Sequence, residues 1–309
     1  MKAINNLLFL SALTGSTLPC NALAATENAS VRRVLVTGAG GQTGAHVFRK
    51  LLAKPGYYTP IGTVRSEASL QEMLNGKDDK PPVAPENLAI CDITNEDTSD
   101  LDELMKGCDA VVIGTSAKPA PTGEVNEETK RPIFGFPNGD PEVVDWLGQK
   151  RVIDAAKRAN KDMHVVLCGS MGGSNPGNPL NNLGKVTDAD GNSSGGNILL
   201  WKRKAEVYLI DSGLPYTIVH PGGLLNEAGN ERELCLGVDD KILGTSNNSV
   251  PRDDVANVMV AALENDCYRG RSFDLVSKPA GEGVVTEDFE ELIASLEGKN
   301  CDYSLGETA

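Results

Sequence analysis

The chain has 309 residues, 40% of them hydrophobic and 23% charged, enough for one large α/β unit with a sizeable core. Its formal net charge of −14 argues against a general nucleic-acid surface and against attraction to anionic membranes, so any bound phosphate must be met by local cations and backbone amides. No internal run approaches the roughly 18 apolar residues of a transmembrane helix, so no membrane span is expected.

Residues 1–24 read as a signal peptide that is removed. Lys2 supplies the positive region, Leu7 to Leu13 the apolar one, and Ala22-Leu23-Ala24 places small residues before a cut at Ala25. A fraying N-terminal helix is the alternative. The signal implies entry to the secretory pathway, and in an organism with complex plastids it is also the first half of a plastid address. Residues 25–309 show no repeat and no linker, and read as a single domain. Removing the signal leaves six cysteines, none in a C-x-x-C pair, and the chain has only three histidines; no metal site is expected. Cys91, Cys108 and Cys168 lie in or beside expected core strands, where a free thiol behaves as a small hydrophobe.

In chain order, a buried strand from Val31 to Val36 leads into Thr37-Gly-Ala-Gly-Gly-Gln-Thr-Gly44 and then a helix from about Gln42 to Ala53. Gly38, Gly41 and Gly44 fall at G-x-x-G-x-x-G spacing. The first allows the turn, the second lets backbone N–H groups approach a pyrophosphate, and the third permits close helix–strand packing. The phosphates would sit on the positive end of the helix, near Gln42 and Thr43. A second strand, Tyr57 to Val64, ends in Arg65-Ser66. An NAD site would place an acid there to accept from the ribose 2′-OH, whereas Arg65 offers a guanidinium that pairs with a 2′-phosphate. NADP is therefore expected over NAD.

Leu88 to Asp92 reads as a third strand, with Asp92-Ile93 placed to meet the adenine. Ser99 caps a helix through Met105, and Cys108 to Gly114 is a fourth, fully buried strand. Residues Thr115 to Asp140 break the rhythm with Pro, Gly and Glu, as a functional loop or lid does. Pro141 opens a long helix whose apolar face is Val143, Val144, Leu147, Val152, Ile153 and Ala156. A fifth strand, Met163 to Gly169, ends at Ser170. A loop and a helix from about Asn197 to Asp211 follow, then a sixth strand, Pro215 to Val219, and His220-Pro-Gly-Gly-Leu224. Short strands at Leu234–Val238 and Lys241–Leu243, a helix after Val250, a strand at Ser272–Val276 and a last helix capped by Thr286 complete the chain. Alternating strands and helices predict an α/β fold, a Rossmann-type doubly wound parallel sheet. Residues from about 221 to 309 would form a small C-terminal substrate lobe over its carboxyl edge.

These segments resemble the atypical short-chain dehydrogenase/reductases, in particular the NAD(P)-binding, NmrA-like branch of plants and algae. The most specific are Thr37 to Gly44, Asp145-Trp-Leu-Gly-Gln-Lys150, Gly169-Ser-Met-Gly-Gly-Ser-Asn-Pro176, Asn197 to Glu206 and Val250-Pro-Arg-Asp-Asp-Val-Ala256. The resemblance implies a bound dinucleotide. It places Thr37, Thr115 and Ser116 against that cofactor, and Ser170, Lys202 and Pro221-Gly222-Gly223 at the nicotinamide. It also implies a tyrosine proton donor four residues before the lysine, but that position is Ile198 for Lys202 and Leu200 for Lys204. Ser170, Lys202 and His220 are the remaining catalytic candidates. Three functions follow: an NADP-dependent oxidoreductase on a small molecule, a non-catalytic NADP-sensing protein, or an isomerase or epimerase.

Overall fold

The computed structural model describes residues 31–308 apart from 78–79, 126, 128–129, 188–189, 191–192 and 243–245. The expected signal peptide, 1–24, lies outside the described residues. In chain order the first half comprises β1 (Arg32–Thr37), α1 (Gln42–Leu52), β2 (Tyr58–Val64), α2 (Glu67–Asn75), β3 (Leu88–Ile90), α3 (Ser99–Met105) and β4 (Ala110–Ile113). A hairpin, β5 (Ala120–Val125) and β6 (Pro132–Gly135), precedes a π-helical turn over Glu142–Gly148 that continues as α4 (Gln149–Ala159). Then come β7 (His164–Cys168), the short pair β8 (Val186–Thr187) and β9 (Ser193–Ser194), α5 (Ile198–Asp211), β10 (Tyr216–Pro221) and β11 (Gly223–Leu225). The chain closes with β12 (Leu234–Gly237), β13 (Ser249–Pro251), α6 (Arg252–Glu264), β14 (Arg271–Ser277) and α7 (Phe289–Ala294).

Eight strands form one sheet in the order β12-β14-β10-β7-β4-β1-β2-β3, parallel except where β12 runs antiparallel to β14. The central strands are continuous apolar runs because helices cover both faces. Alternation within each run assigns side chains to opposite layers. Val34, Val36, Ala110, Val112 and Val166 pack with Val47, Phe48 and Leu51 of α1 and Val255, Val258 and Met259 of α6. Leu35, Val111, Ile113, Val165 and Leu167 face Leu101 and Met105 of α3, Val152, Ile153 and Ala156 of α4, and Leu209 of α5. Each buried Val, Leu, Ile, Phe or Met among these contributes about 1.5–3 kcal/mol of apolar burial. The expected doubly wound parallel sheet is what the chain forms.

Several local expectations need correction. The segment 115–140 is not only a loop: it carries the β5–β6 hairpin, whose strands are exposed and therefore lack the apolar alternation that marks a strand in sequence. The helix after Pro141 starts with π geometry, and Val143, expected on its apolar face, is 38% exposed. Ser99 is the first residue of α3 rather than its cap, and its N–H donates to Asp97 Oδ1. Asp288, not Thr286, caps α7, accepting from the N–H groups of Glu290 and Glu291, while Thr286 Oγ1 accepts from Leu234 N. Lys241 and Ile242 form no strand, and Leu243 lies outside the described residues. Beyond residue 221, β11 and β13 pair as a separate two-stranded sheet, while β12 and β14 extend the main sheet and α6 packs on α1.

Candidate functional site

Strand order reverses between β1 and β4, and in open α/β sheets the crevice at the carboxyl ends of such strands is where ligands bind. The glycine turn fills this crevice. Gly38 has φ +70°, and a Cβ there would approach the backbone of Gly114 and Thr115 at 3.1 Å. A Cβ on Gly44 would stand 2.4 Å from Gly38 O, so α1 can only pack this closely on the turn without a side chain. The first-turn N–H groups of α1, at Gln42 and Thr43, have no partner within the helix and point out of its positive end. This cradle fits a pyrophosphate.

The cleft above it has a volume of about 590 Å³, within the roughly 300–1,000 Å³ of small-molecule sites. Of the expected residues, Gly38, Gly41, Gln42, Thr43, Arg65, Asp92, Ile93, Thr115, Ser116, Ser170, Lys202, Pro221 and Gly222 line it. Thr37, Gly44 and Gly223 do not: Thr37 is fully buried, Gly44 packs behind the turn, and a Cβ on Gly223 would meet Ser249. His220 does not line it either. Its ring is 5% exposed and lies between Glu206, 3.2 Å from Nε2, and Asp274, 3.4 Å from Nδ1. Burial opposes protonation of that ring, but the facing carboxylates, Glu206 first, raise its pKa well above the usual histidine value.

Four cations, Arg65, Lys118, Lys202 and Arg252, line the cleft against one carboxylate, Asp92, among the described residues. In a chain of net charge −14 this is a local reversal of sign, suited to a phosphorylated ligand. Arg65 leaves the end of β2 and donates from Nη1 to Asn138 O at 2.9 Å, tying the 115–140 cover to the rim. Across the cleft, Arg252 donates to Gln42 Oε1 at 3.2 Å and to Leu224 O at 3.2 Å.

Lys202 is 7% exposed and its Nζ lies 2.8 Å from Oδ1 of the fully buried Asp145. Burial alone would depress the lysine, but the Asp145 charge outweighs it and raises the pKa, so the ammonium stays charged. The other oxygen of Asp145 accepts from Ala117 N at 3.0 Å, and Gln149 donates to Thr115 O at 3.0 Å. The Asp145–Gln149 segment thus braces both Lys202 and the Thr115–Ala117 wall. A Cβ on Gly148 would meet Ile93 at 2.9 Å, so the glycine lets this segment close on the cleft. π-helical turns of this kind often mark functional sites.

Ile198 lines the cleft one helical turn before Lys202, whereas Lys204 and Leu200 do not line it, which fixes the register of α5 against the site. A sec-butyl side chain with no exchangeable proton stands where the resemblance implies a tyrosine. It packs with Ala117, Phe136, Val144 and Leu199 in a small apolar cluster that joins cover, π-helix and α5. Ser170 Oγ donates to Met171 O at 3.0 Å, and burial pushes the neighbouring Cys168 thiol up. Asp145, Gln149, Lys118 and Arg252 have no role in the sequence reading. Asp145, Gln149 and Arg252 stand inside the quoted motifs, which was the only signal available for them.

The NAD(P)H-binding family matches residues 38–266. The chain is 44% identical over 268 residues to an uncharacterized chloroplastic protein of Arabidopsis thaliana, covering 86% of this chain and 76% of that one. It is 42% identical over 282 residues to sanguinarine reductase of Eschscholzia californica, covering 85% and 95%. Among solved structures, one described as an NAD-dependent epimerase/dehydratase from Bacillus halodurans superposes with a TM-score of 0.58 at 21% identity, covering 86% of this chain and 100% of that one; this similarity concerns the fold alone. The chain belongs to the NAD(P)H-binding family, in the atypical short-chain dehydrogenase/reductase branch that it shares with these plant relatives.

Proposed function

We propose that this protein is an NADP-dependent reductase of a small, conjugated organic substrate. The observation that carries the reading is Lys202, kept charged by Asp145 in the cleft wall beside Ser170 and facing the same space as the glycine cradle. In this reading Gly38, Gly41, Gln42 and Thr43 hold the pyrophosphate and Arg65 the 2′-phosphate. Lys202 holds the nicotinamide ribose, and Ser170 orients the substrate. NADPH, when bound, supplies the hydride. The described cleft lining offers no tyrosine, histidine or glutamate as proton donor. The reading therefore favours conjugated acceptors, in which the incoming charge spreads over the substrate and water supplies the proton. That a relative 42% identical over nearly its whole length is a reductase supports the choice.

A second reading, an NADP-binding protein without turnover, is favoured by Ile198 alone. An epimerase in which hydride leaves and returns to one substrate needs a base to take the hydroxyl proton, and Asp92, the one carboxylate lining the described cleft, stands at the β3 end and accepts from Thr94 N and Oγ1. The test is NADPH consumption by purified protein across a panel of quinones and conjugated carbonyls. Turnover with any member supports the reductase; tight NADPH binding with no turnover across the panel selects the binding protein. A plastid address is part of the proposal, on the expected 1–24 signal and the chloroplastic relative. A full-length fluorescent fusion that stays outside plastids would remove it.

A further inference from the structure

Behind the cleft, three potential metal ligands converge. His220 of β10 and Asp274 of β14 are register partners on neighbouring parallel strands, so their side chains project from the same face. The C-terminal segment runs alongside, with Cys301 N donating to Ser272 O, and brings its thiol to both. His220 Nδ1 and Asp274 Oδ1 are 3.4 Å apart, Cys301 Sγ and His220 Nδ1 3.5 Å, and Cys301 Sγ and Asp274 Oδ1 3.9 Å. Tetrahedral zinc, with bonds of about 2.0–2.1 Å to N and O and about 2.3 Å to S, requires roughly 3.4 Å between N and O and roughly 3.6 Å from sulfur to either. The three separations match that triangle to within a few tenths of an ångström.

The surroundings are also those of a metal site. Glu206 of α5 lies 3.2 Å from Nε2, on the side of the ring away from the triangle. A ligating histidine typically donates its second ring N–H to such a carboxylate, which fixes the tautomer and the ring plane. A Cβ on Gly169 would stand 2.4 Å from Glu206 Oε1 and 2.7 Å from His220 Cδ2, so the glycine at the end of β7 makes room for this pair. His220, Asp274 and Glu206 are all at least nine-tenths buried, while Cys301 is half-buried and leaves the site an opening.

We propose that His220, Asp274 and Cys301 form a zinc site, with water in the fourth tetrahedral position at the opening, that fastens the C-terminal segment to β10 and β14. Thiolate, imidazole and carboxylate together suit a borderline-soft divalent ion rather than calcium or magnesium. Binding releases the Cys301 proton, since the thiolate is the ligand. The fastened segment also lies against the loop that follows Ser170, where a Cβ on Gly306 would stand 2.8 Å from Gly173 O and 3.0 Å from Ser174 O. The sequence hides the site because its donors are spread over positions 220, 274 and 301 with no short spacing to betray them.

The test uses full-length mature protein purified without chelator. Zinc per chain is measured by mass spectrometry of the metal, and the stripped protein is then titrated with Zn²⁺ and with Co²⁺. The expected result is one metal per chain and a cobalt spectrum with tetrahedral visible bands and a thiolate-to-metal charge-transfer band. That band disappears in Cys301→Ser and persists in the control Cys235→Ser. Glu206→Gln weakens zinc by about 10–100-fold. Far-ultraviolet circular dichroism and NADPH binding by Cys301→Ser show that the fold survives. Metal loading also slows hydrogen exchange in residues 299–308 of the wild type. A stripped protein that takes up neither ion, or a cobalt spectrum that Cys301→Ser leaves unchanged, overturns the proposal in favour of a metal-free imidazolium held between two carboxylates.

Discussion

Replacing Asp145 by Asn tests the arrangement on which the cleft depends. The side chain is fully buried, its Oδ1 lies 2.8 Å from Lys202 Nζ, and its Oδ2 accepts from Ala117 N. Asparagine keeps the shape and one acceptor, so the Ala117 bond survives. What it removes is the charge opposite an ammonium that is itself 7% exposed. Breaking a buried pair from one side typically costs about 3–5 kcal/mol, because the remaining charge stays desolvated. We expect a loss of about 3 kcal/mol in urea unfolding followed by circular dichroism, largely insensitive to salt because the pair is shielded from solvent. The double variant Asp145→Asn/Lys202→Met should recover much of that loss, giving a coupling energy of about 2 kcal/mol or more in the double-mutant cycle. NADPH affinity should fall in both single variants. A destabilisation below about 0.5 kcal/mol, typical of exposed substitutions, or additive losses in the cycle, would refute the pairing.

Other outcomes follow from single contacts. Arg65→Ala should weaken NADP by the value of one or two charge-assisted hydrogen bonds, about 1.5–3 kcal/mol, while NAD changes much less; equal losses in calorimetric titrations would remove the 2′-phosphate assignment. Gly44→Ala sets a Cβ 2.4 Å from Gly38 O and must displace α1 from the turn, so we expect a stability loss of about 1–3 kcal/mol and loss of NADPH binding; wild-type affinity would contradict the cradle. His164, 1% exposed with Nε2 2.9 Å from Thr217 Oγ1, has its pKa lowered to about 3, mainly by burial. The unfolded imidazole takes a proton near its ordinary value of about 6.5, so the folded state loses stability as pH falls from there toward 3. The slope is about 1.4 kcal/mol per pH unit, or about 2 kcal/mol by pH 5, and His164→Gln should flatten it in urea titrations between pH 5 and 7.

Much of this fold is legible in the sequence because its signals are local. Val34-Leu-Val36 and Ala110-Val-Val-Ile113 are buried on both faces and read as central parallel strands without further help. The positive φ of Gly38 and the close approach at Gly44 are backbone requirements that only glycine meets, so their spacing betrays the cradle. Ile198 and Lys202 could be placed together because one helical turn separates them. Features that depend on distant partners are not legible in this way. Asp145 meets Lys202 across 57 positions, and nothing in either neighbourhood states the pairing (202 − 145). His220 stands near the end of β10, two residues before a glycine pair, which suggests the cleft, yet its ring is taken by Glu206, Asp274 and Cys301, which come from three other segments. The β5–β6 hairpin fails for another reason: both strands are exposed, so hydrophobic period carries no information there.

The central claim is that Lys202 and its cleft turn a bound cofactor over. The most direct measurement is transfer of deuterium from NADPH labelled at C4 to a substrate, by wild type and by Lys202→Ala. The account predicts that the label appears in the product, and that Lys202→Ala slows its appearance while circular dichroism shows the fold retained. Label that never leaves the cofactor with any acceptor, or a rate untouched by Lys202→Ala, would contradict it.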